Sequence, residues 1–149
     1  MASSTHRPRR SCLYMPGANE RALEKARTLP ADTLLLDLED AVAPDAKLMA
    51  REAIVSAVKQ GGYGHREIVI RMNGVGTEWG GDDLKAAVAS GAAAVLAPKV
   101  ESARDILTLD AALTEAGAPS DFGLWVMIEM PKAILNIHEI AAAAEDTRL

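Results

Sequence analysis

The chain is poor in residues that staple, stack or anchor. It has a single cysteine, Cys12, so no internal disulfide can form. The residue fits a reducing compartment or a small core position. Aromatic residues make up 3% of the chain, too few for a base-stacking platform. Basic residues do not prevail: 16 Lys and Arg stand against 21 Asp and Glu, a formal net charge of -5. No nucleic-acid partner is therefore expected. No run approaches the ~18 apolar residues of a membrane-spanning helix, so no membrane partner is expected either. The basic opening stretch Met1–Arg10 is followed by no apolar segment, which argues against a secretory signal. The expected location is the cytoplasm. One cysteine and three histidines exclude a structural zinc site. There is no P-loop, no Gly-x-Ser-x-Gly elbow and no His-Glu-x-x-His motif.

What is present is a repeated alternation. The 149 residues are 49% hydrophobic, enough for one domain with a real core. Residues 11–15 read as a strand, stopped by Pro16-Gly17. Asn19 caps a helix to about Leu29, with Ala22, Ala26 and Leu29 apolar. Residues 33–38 form an apolar run, as in a strand covered on both faces. Pro44 opens a helix to Gln60, with Leu48, Ile54, Val55 and Val58 suited to its buried face. The unit recurs: a strand at 67–72, the Gly-rich loop 74–81, and a helix at 82–90. Then come a strand at 94–97, a helix at 101–115, a strand at 123–128 and a helix from Pro131 to Ala144. Five strand–helix units in succession predict a parallel sheet with helical crossovers.

Two architectures carry such units, an open doubly wound sheet and a closed (β/α)8 barrel. The strand ends favour the second. Strand two ends in Asp37-Leu38-Glu39-Asp40, strand three in Arg71-Met72-Asn73, strand four in Pro98-Lys99 and strand five in Glu129. In a barrel these ends converge on one mouth; in an open sheet they spread along an edge. The expectation is an α/β protein of the TIM-barrel type. This chain supplies about the first five of eight units, residues 1–149 form the N-terminal part of one domain, and residues 1–9 form a flexible lead-in.

The same ends supply the candidate chemistry. Asp37, Glu39 and Asp40 are the densest acidic cluster, and Asp37 and Glu39 share a face if the segment stays extended. Carboxylates this close need a cation or donors among them. They read as a magnesium site or its water shell, or as acids facing nearby arginines and helix N-termini. Arg71, emerging from a core strand, wants a planar acceptor. That acceptor is a substrate carboxylate or, as an internal pair, Asp37 or Glu39. Glu129 follows an apolar strand, and a hard-metal ligand for Mg2+ or Mn2+ is the economical reading. Lys99 reads as a structural or phosphate-pairing lysine rather than a Schiff-base nucleophile. In the Gly-rich loop the third glycine falls one residue late for a dinucleotide fingerprint, so it reads as a flexible loop.

These residues also carry a family resemblance. The string Arg10-Ser11-Cys12-Leu13-Tyr14-Met15-Pro16-Gly17, Arg21 with Glu24-Lys25-Ala26, and Leu36-Asp37-Leu38-Glu39-Asp40-Ala41-Val42 come first. Pro44, Lys47 and Ala50-Arg51, then Ile70-Arg71-Met72-Asn73-Gly74, Ala97-Pro98-Lys99 and Ile128-Glu129 follow in order. Together they resemble the citrate lyase beta-subunit / malyl-CoA lyase family of Mg2+-dependent acyl-CoA lyases. The resemblance runs from about Arg10 to the chain's end.

The resemblance implies a barrel enzyme that makes or breaks a carbon–carbon bond. A 3-hydroxyacyl-CoA such as malyl-, citramalyl- or citryl-CoA would yield acetyl-CoA and a 2-oxo acid. It implies that Arg71 binds the oxo acid's carboxylate and that Glu129 ligates Mg2+. Asp37, Glu39 and Asp40 would orient metal-bound water or Arg71, and Arg10, Arg21 and Lys25 would meet the CoA phosphates near the barrel mouth. It further implies a homo-oligomer, a trimer or hexamer. The family's second acidic metal ligand would fall beyond Leu149, so the chain alone is expected to be inactive as a lyase. A CoA-independent 2-oxo acid aldolase and a non-catalytic subunit are the alternatives.

Overall fold

Apolar residues alternate along the strands, and the alternation gives the sheet two unlike faces. The computed structural model describes residues 7–149. Its sheet comprises β1 (Cys12–Pro16), β2 (Thr33–Asp37), β3 (Glu67–Arg71), β4 (Ala94–Ala97) and β5 (Gly123–Val126). All neighbours are parallel, and the spatial order follows the chain, β1-β2-β3-β4-β5. On one face the row Met15, Leu36, Ile70, Val95, Leu124 enters the larger apolar core. There it packs against the helices α1 (Glu20–Ala26), α2 (Lys47–Gln60), α3 (Gly80–Ser90), α4 (Ala103–Glu115), α5 (Pro131–Leu135) and α6 (Ile137–Ala142). On the other face Leu35, Val69, Ala94 and Leu96 form a separate small cluster with Trp125 and Met127, to which no helix contributes.

That asymmetry decides between the two architectures. A doubly wound sheet reverses its strand order at a switch point and carries helices on both faces. Here the order never reverses and the helices cover one face, as in the wall of a (β/α) barrel whose strand face looks inward. The inward residues fall into layers across the strands. Tyr14, Leu35, Val69, Ala94 and Gly123 form one; Pro16, Asp37, Arg71, Leu96 and Trp125 form the next, toward the carboxyl ends.

Local signals place the elements. Asn19 caps α1 by accepting the Ala22 N–H at 3.0 Å. Ser102 and Asp105 form a reciprocal capping box at the start of α4, a device worth about 1 kcal/mol. Several boundaries differ from expectation. Helix α1 ends at Ala26 rather than near Leu29, and β5 ends at Val126. The last predicted helix breaks at Asn136 into α5 and α6. The Asn136 amide there donates to the Glu101 carbonyl at 2.9 Å, a local bond that competes with continued helix. The buried stripe of α2 is Lys47, Ala50, Ile54 and Ala57, with Leu48 exposed. Cys12 is exposed on the edge strand rather than buried in a core. The expectation for residues 1–9 lies partly outside the described residues; Arg9, which is described, is held in an ion pair with Glu67.

Candidate active site at the carboxyl edge

Strand register makes Asp37 and Arg71 direct neighbours on the inward face. Their side chains form a two-pronged pair: Arg71 Nε donates to Asp37 Oδ1 at 2.8 Å and Nη2 to Oδ2 at 2.6 Å. Both residues are buried. The chain turns immediately after Asp37, so the extended segment expected through Glu39 does not form. Instead the Glu39 N–H donates to Asp37 Oδ1 at 2.7 Å and the Ala41 N–H to Oδ2 at 3.2 Å. Burial pushes the Asp37 carboxyl up; Arg71 and these amides outweigh it and hold it below the ordinary carboxylate range. Asp37 in turn holds the Arg71 guanidinium firmly charged.

Turning the chain brings Glu39 to the other side of the guanidinium. Arg71 Nη1 lies 3.1 Å from Glu39 Oε2 and 3.6 Å from Asp40 Oδ2. The Glu39 Oε2 atom is buried and makes no aligned hydrogen bond. Lys99 Nζ donates to Glu39 Oε1 at 2.6 Å, while the Lys99 backbone N–H donates to Glu129 Oε1 at 2.9 Å. A continuous polar chain thus runs Asp37–Arg71–Glu39–Lys99–Glu129 across the ends of β2 to β5. The hydrogen bond it donates to Glu39 holds the Lys99 ammonium above its ordinary pKa, which disfavours the neutral amine a Schiff base requires. Lys99 has φ 55°; such a left-handed backbone costs a non-glycine residue about 1–2 kcal/mol.

The turn carrying these acids is held from behind. Gly17 N–H donates to the Asp37 carbonyl at 2.9 Å. Lys47 Nζ donates to the carbonyls of Leu38 at 2.8 Å and Glu39 at 2.6 Å. The Asn73 amide donates to Leu38 O at 2.9 Å and to Asp83 Oδ2 at 2.6 Å, and Asp83 also pairs with Arg51. Asn73 thereby braces the turn. The Gly-rich loop is tied to itself: the Thr77 hydroxyl donates to Gly74 O at 2.7 Å and accepts the Gly80 N–H. A cleft of about 340 Å3 opens here, lined by Glu39, Asp40, Lys47, Asn73, Trp79 and Lys99 among others.

Sequence reasoning assigned no site role to Lys47, Asp83 or Tyr14, although Tyr14 and Lys47 stand in the strings that carry the family resemblance. The Tyr14 ring lies 4.8 Å from the Arg71 guanidinium carbon, and its hydroxyl points to Met127 Sδ at 3.7 Å. The period-two alternation of the first strand held the signal for Tyr14. The three basic residues expected to meet CoA phosphates do not gather at one place. Arg10 precedes β1 and pairs with Asp32, which precedes β2; it therefore sits at the amino end of the sheet, opposite the cluster. Arg21 lies in the first turn of α1 and faces a groove between α1 and α2 on the outer, helical side. Lys25, exposed in the last turn of α1, lies further from the carboxyl edge. The acidic cluster also departs from a cation cage, because Arg71 occupies both oxygens of Asp37. Among the described residues no three His, Cys, Asp or Glu side chains converge as a metal-binding group. Glu129 fits a magnesium ion as a single carboxylate ligand: it is exposed at the carboxyl edge, the Lys99 amide takes its Oε1 atom, and Mg2+ is commonly held by one or two carboxylates with water and substrate oxygens completing the shell.

A singly wound parallel sheet with its polar cluster at the carboxyl ends defines the β/α-barrel class of proteins. Within that class the chain belongs to the HpcH/HpaI aldolase/citrate lyase family, matched over residues 10–148. A (3S)-malyl-CoA thioesterase of Cereibacter sphaeroides is 46% identical over 142 residues, covering 95% of this chain and 47% of that protein. The citrate lyase subunit beta of Escherichia coli is 38% identical over 144 residues, covering 93% and 48%. The crystal structure of CitE from Mycobacterium tuberculosis with magnesium, acetoacetate and coenzyme A superposes with a TM-score of 0.67 at 30% identity. That match covers 91% of this chain and 46% of the other. The chain thus spans about half the length of these relatives.

Proposed function

We propose that this chain carries the 2-oxo acid-binding half of a Mg2+-assisted acyl-CoA carbon–carbon lyase. The observation that carries the reading is Arg71: an inward guanidinium at the carboxyl edge, fixed on one side by Asp37 and facing Glu39 and Asp40 on the other through Nη1, where an incoming carboxylate would take the place of Glu39. In the reaction, the bond between the α- and β-carbons of a 3-hydroxyacyl-CoA breaks. The β-hydroxyl gives its proton to solvent and becomes the carbonyl of a 2-oxo acid, while the electron pair of the broken bond passes to the thioester enolate, which takes up a proton to leave as acetyl-CoA. Arg71 Nη1 binds the oxo acid's carboxylate and orients it. Asp37 fixes the guanidinium plane, and the Tyr14 ring shields that pair from water. Glu129 would hold the magnesium ion, which when bound supplies Lewis-acid polarisation of the oxo acid's oxygens. Magnesium and coenzyme A in the CitE structure support both ligand classes.

The 46% identity to a malyl-CoA thioesterase favours a second reading, hydrolysis of the thioester. Malyl-CoA separates the two: carbon–carbon cleavage releases glyoxylate and acetyl-CoA, whereas hydrolysis releases malate and free CoA. The ligand site is tested by titrating pyruvate with Mg2+ into the wild-type chain and two variants. Arg71→Lys loses the planar fork, and pyruvate affinity is expected to fall about 10-fold or more. Glu129→Gln is expected to abolish the Mg2+ dependence of that binding. Unchanged affinity in both variants overturns the assignment.

A further inference from the structure

Lys99 is the sole non-glycine residue with positive φ among the described residues, at 55°. Glycine, or asparagine and aspartate after it, is the ordinary occupant of such a position. A lysine here is a costly choice of backbone, and what it adds over glycine is an ammonium group. Its neighbours are fixed: Pro98 and Val100 are buried, and Met127 N–H donates to the Ala97 carbonyl at 2.9 Å. The side chain itself is 55% exposed and reaches Glu39 Oε1 at 2.6 Å, with Asp40 Oδ1 at 3.9 Å. The same residue's amide holds Glu129 Oε1 at 2.9 Å. One residue therefore grips two carboxylates through two different atoms.

We propose that Lys99 is a positioning residue: its ammonium, anchored on Glu39, keeps the backbone left-handed, and that backbone aims the amide that holds Glu129. The inference rests on the reading of Glu129 as the cation ligand. It extends that reading by coupling Glu129 to the Arg71 clamp, since Glu39 Oε2 lies 3.1 Å from Arg71 Nη1. A ligand that draws Glu39 away from Lys99 loosens the turn at residue 99 and with it Glu129. The oxo acid subsite and the metal ligand thereby sense one another without touching.

Two substitutions separate ammonium from backbone. Lys99→Gly removes the anchor and also the strain; Lys99→Met removes the anchor and keeps the strain. Lys99→Arg keeps the anchor. The first readout is the amide proton shift of residue 99 by NMR, and its response to Glu129→Gln. The second is Mn2+ affinity measured by calorimetry. The Gly and Arg variants are expected to retain the carboxylate-bonded amide signal and to bind Mn2+ within about twofold of wild type. The Met variant is expected to lose the signal and about 10-fold in affinity, the usual scale for losing a group that orients a metal ligand. Its thermal midpoint should lie below that of the Gly variant, because glycine accepts the left-handed backbone without strain. Identical behaviour of Gly and Met variants, both retaining or both losing the amide signal, overturns the proposal. A wild-type chain that binds no Mn2+ overturns the metal reading of Glu129 instead, and the amide comparison still decides the role of Lys99.

Discussion

The two ends of the sheet use the same chemical parts to opposite effect. At the amino end, acids and bases match one to one. Arg9 grips Glu67 through Nε at 2.6 Å and Nη2 at 2.8 Å, and Arg10 grips Asp32 through Nε at 3.0 Å and Nη2 at 2.8 Å. At the carboxyl end, four carboxylates (Asp37, Glu39, Asp40 and Glu129) stand with three cationic side chains, Arg71, Lys99 and Lys47, the last bonded to backbone carbonyls rather than to a carboxylate. The amino end is a closed account of charges, which serves stability. The carboxyl end retains negative charge, and its Arg71 Nη1 faces Glu39 without an aligned hydrogen bond, an arrangement that on the proposed reading serves a ligand. The difference follows the general division of labour in β/α barrels, with chemistry at the ends where strands run into loops.

The sharpest way to break this comparison is to remove the central guanidinium. Arg71→Met leaves Asp37, 1% exposed, as a buried carboxylate without its partner, a loss of about 3–5 kcal/mol in urea-unfolding stability. At the other end Glu67→Gln keeps shape and loses the charged bonds to Arg9, a smaller loss of about 1–3 kcal/mol, with pyruvate binding unchanged. Equal losses at the two ends would erase the distinction. Acid sharpens the same contrast. Burial raises Asp37, but Arg71 and two amides bring it below its ordinary value of 3.8; the Arg9 hydrogen bond outweighs burial and lowers Glu67 below 4.5. Because the folded values lie below the unfolded ones, the stabilisation is complete above the ordinary carboxylate range. It is lost as pH falls through the lowered values. Thermal midpoints should therefore hold steady down to about pH 5 and then drop, less steeply in Glu67→Gln. The smallest effect belongs to Arg10→Ala. Its pair is solvent-exposed, so the thermal midpoint and any coenzyme A binding should not change measurably. A loss of coenzyme A affinity would restore the mouth position that the family resemblance implied.

Much of this arrangement was legible in the sequence. Five apolar runs, each followed by an amphipathic stretch, defined the strands and helices. The residues at the strand ends named Asp37, Arg71 and Glu129. Of the two partners open to Arg71 in the sequence, the structure shows the internal ones: Nε and Nη2 take Asp37, and Nη1 lies 3.1 Å from Glu39. Arg10 was misplaced although a signal existed: a residue just before a parallel strand lies at the amino end. The site roles of Lys47 and Asp83 were not legible, although Lys47 stands in the strings that carry the family resemblance. Both residues sit on helices and reach the site only because α2 and α3 pack where they do, a tertiary fact no local pattern contains. The exposed Leu48 belongs with them, because Lys47 takes the buried place next to it for the sake of two carbonyls.

Gly17 joins the two layers of this design. Its N–H holds the Asp37 carbonyl, and a methyl group added at its α-carbon would stand 2.7 Å from that same oxygen and press on Ile54 of α2. The edge strand, the helix behind it and the acid that sets the guanidinium plane thus meet with no slack. A change at this adjoining turn would be felt as a tilt of the Arg71 guanidinium, so the geometry of the carboxyl edge extends to a residue that carries no side chain at all.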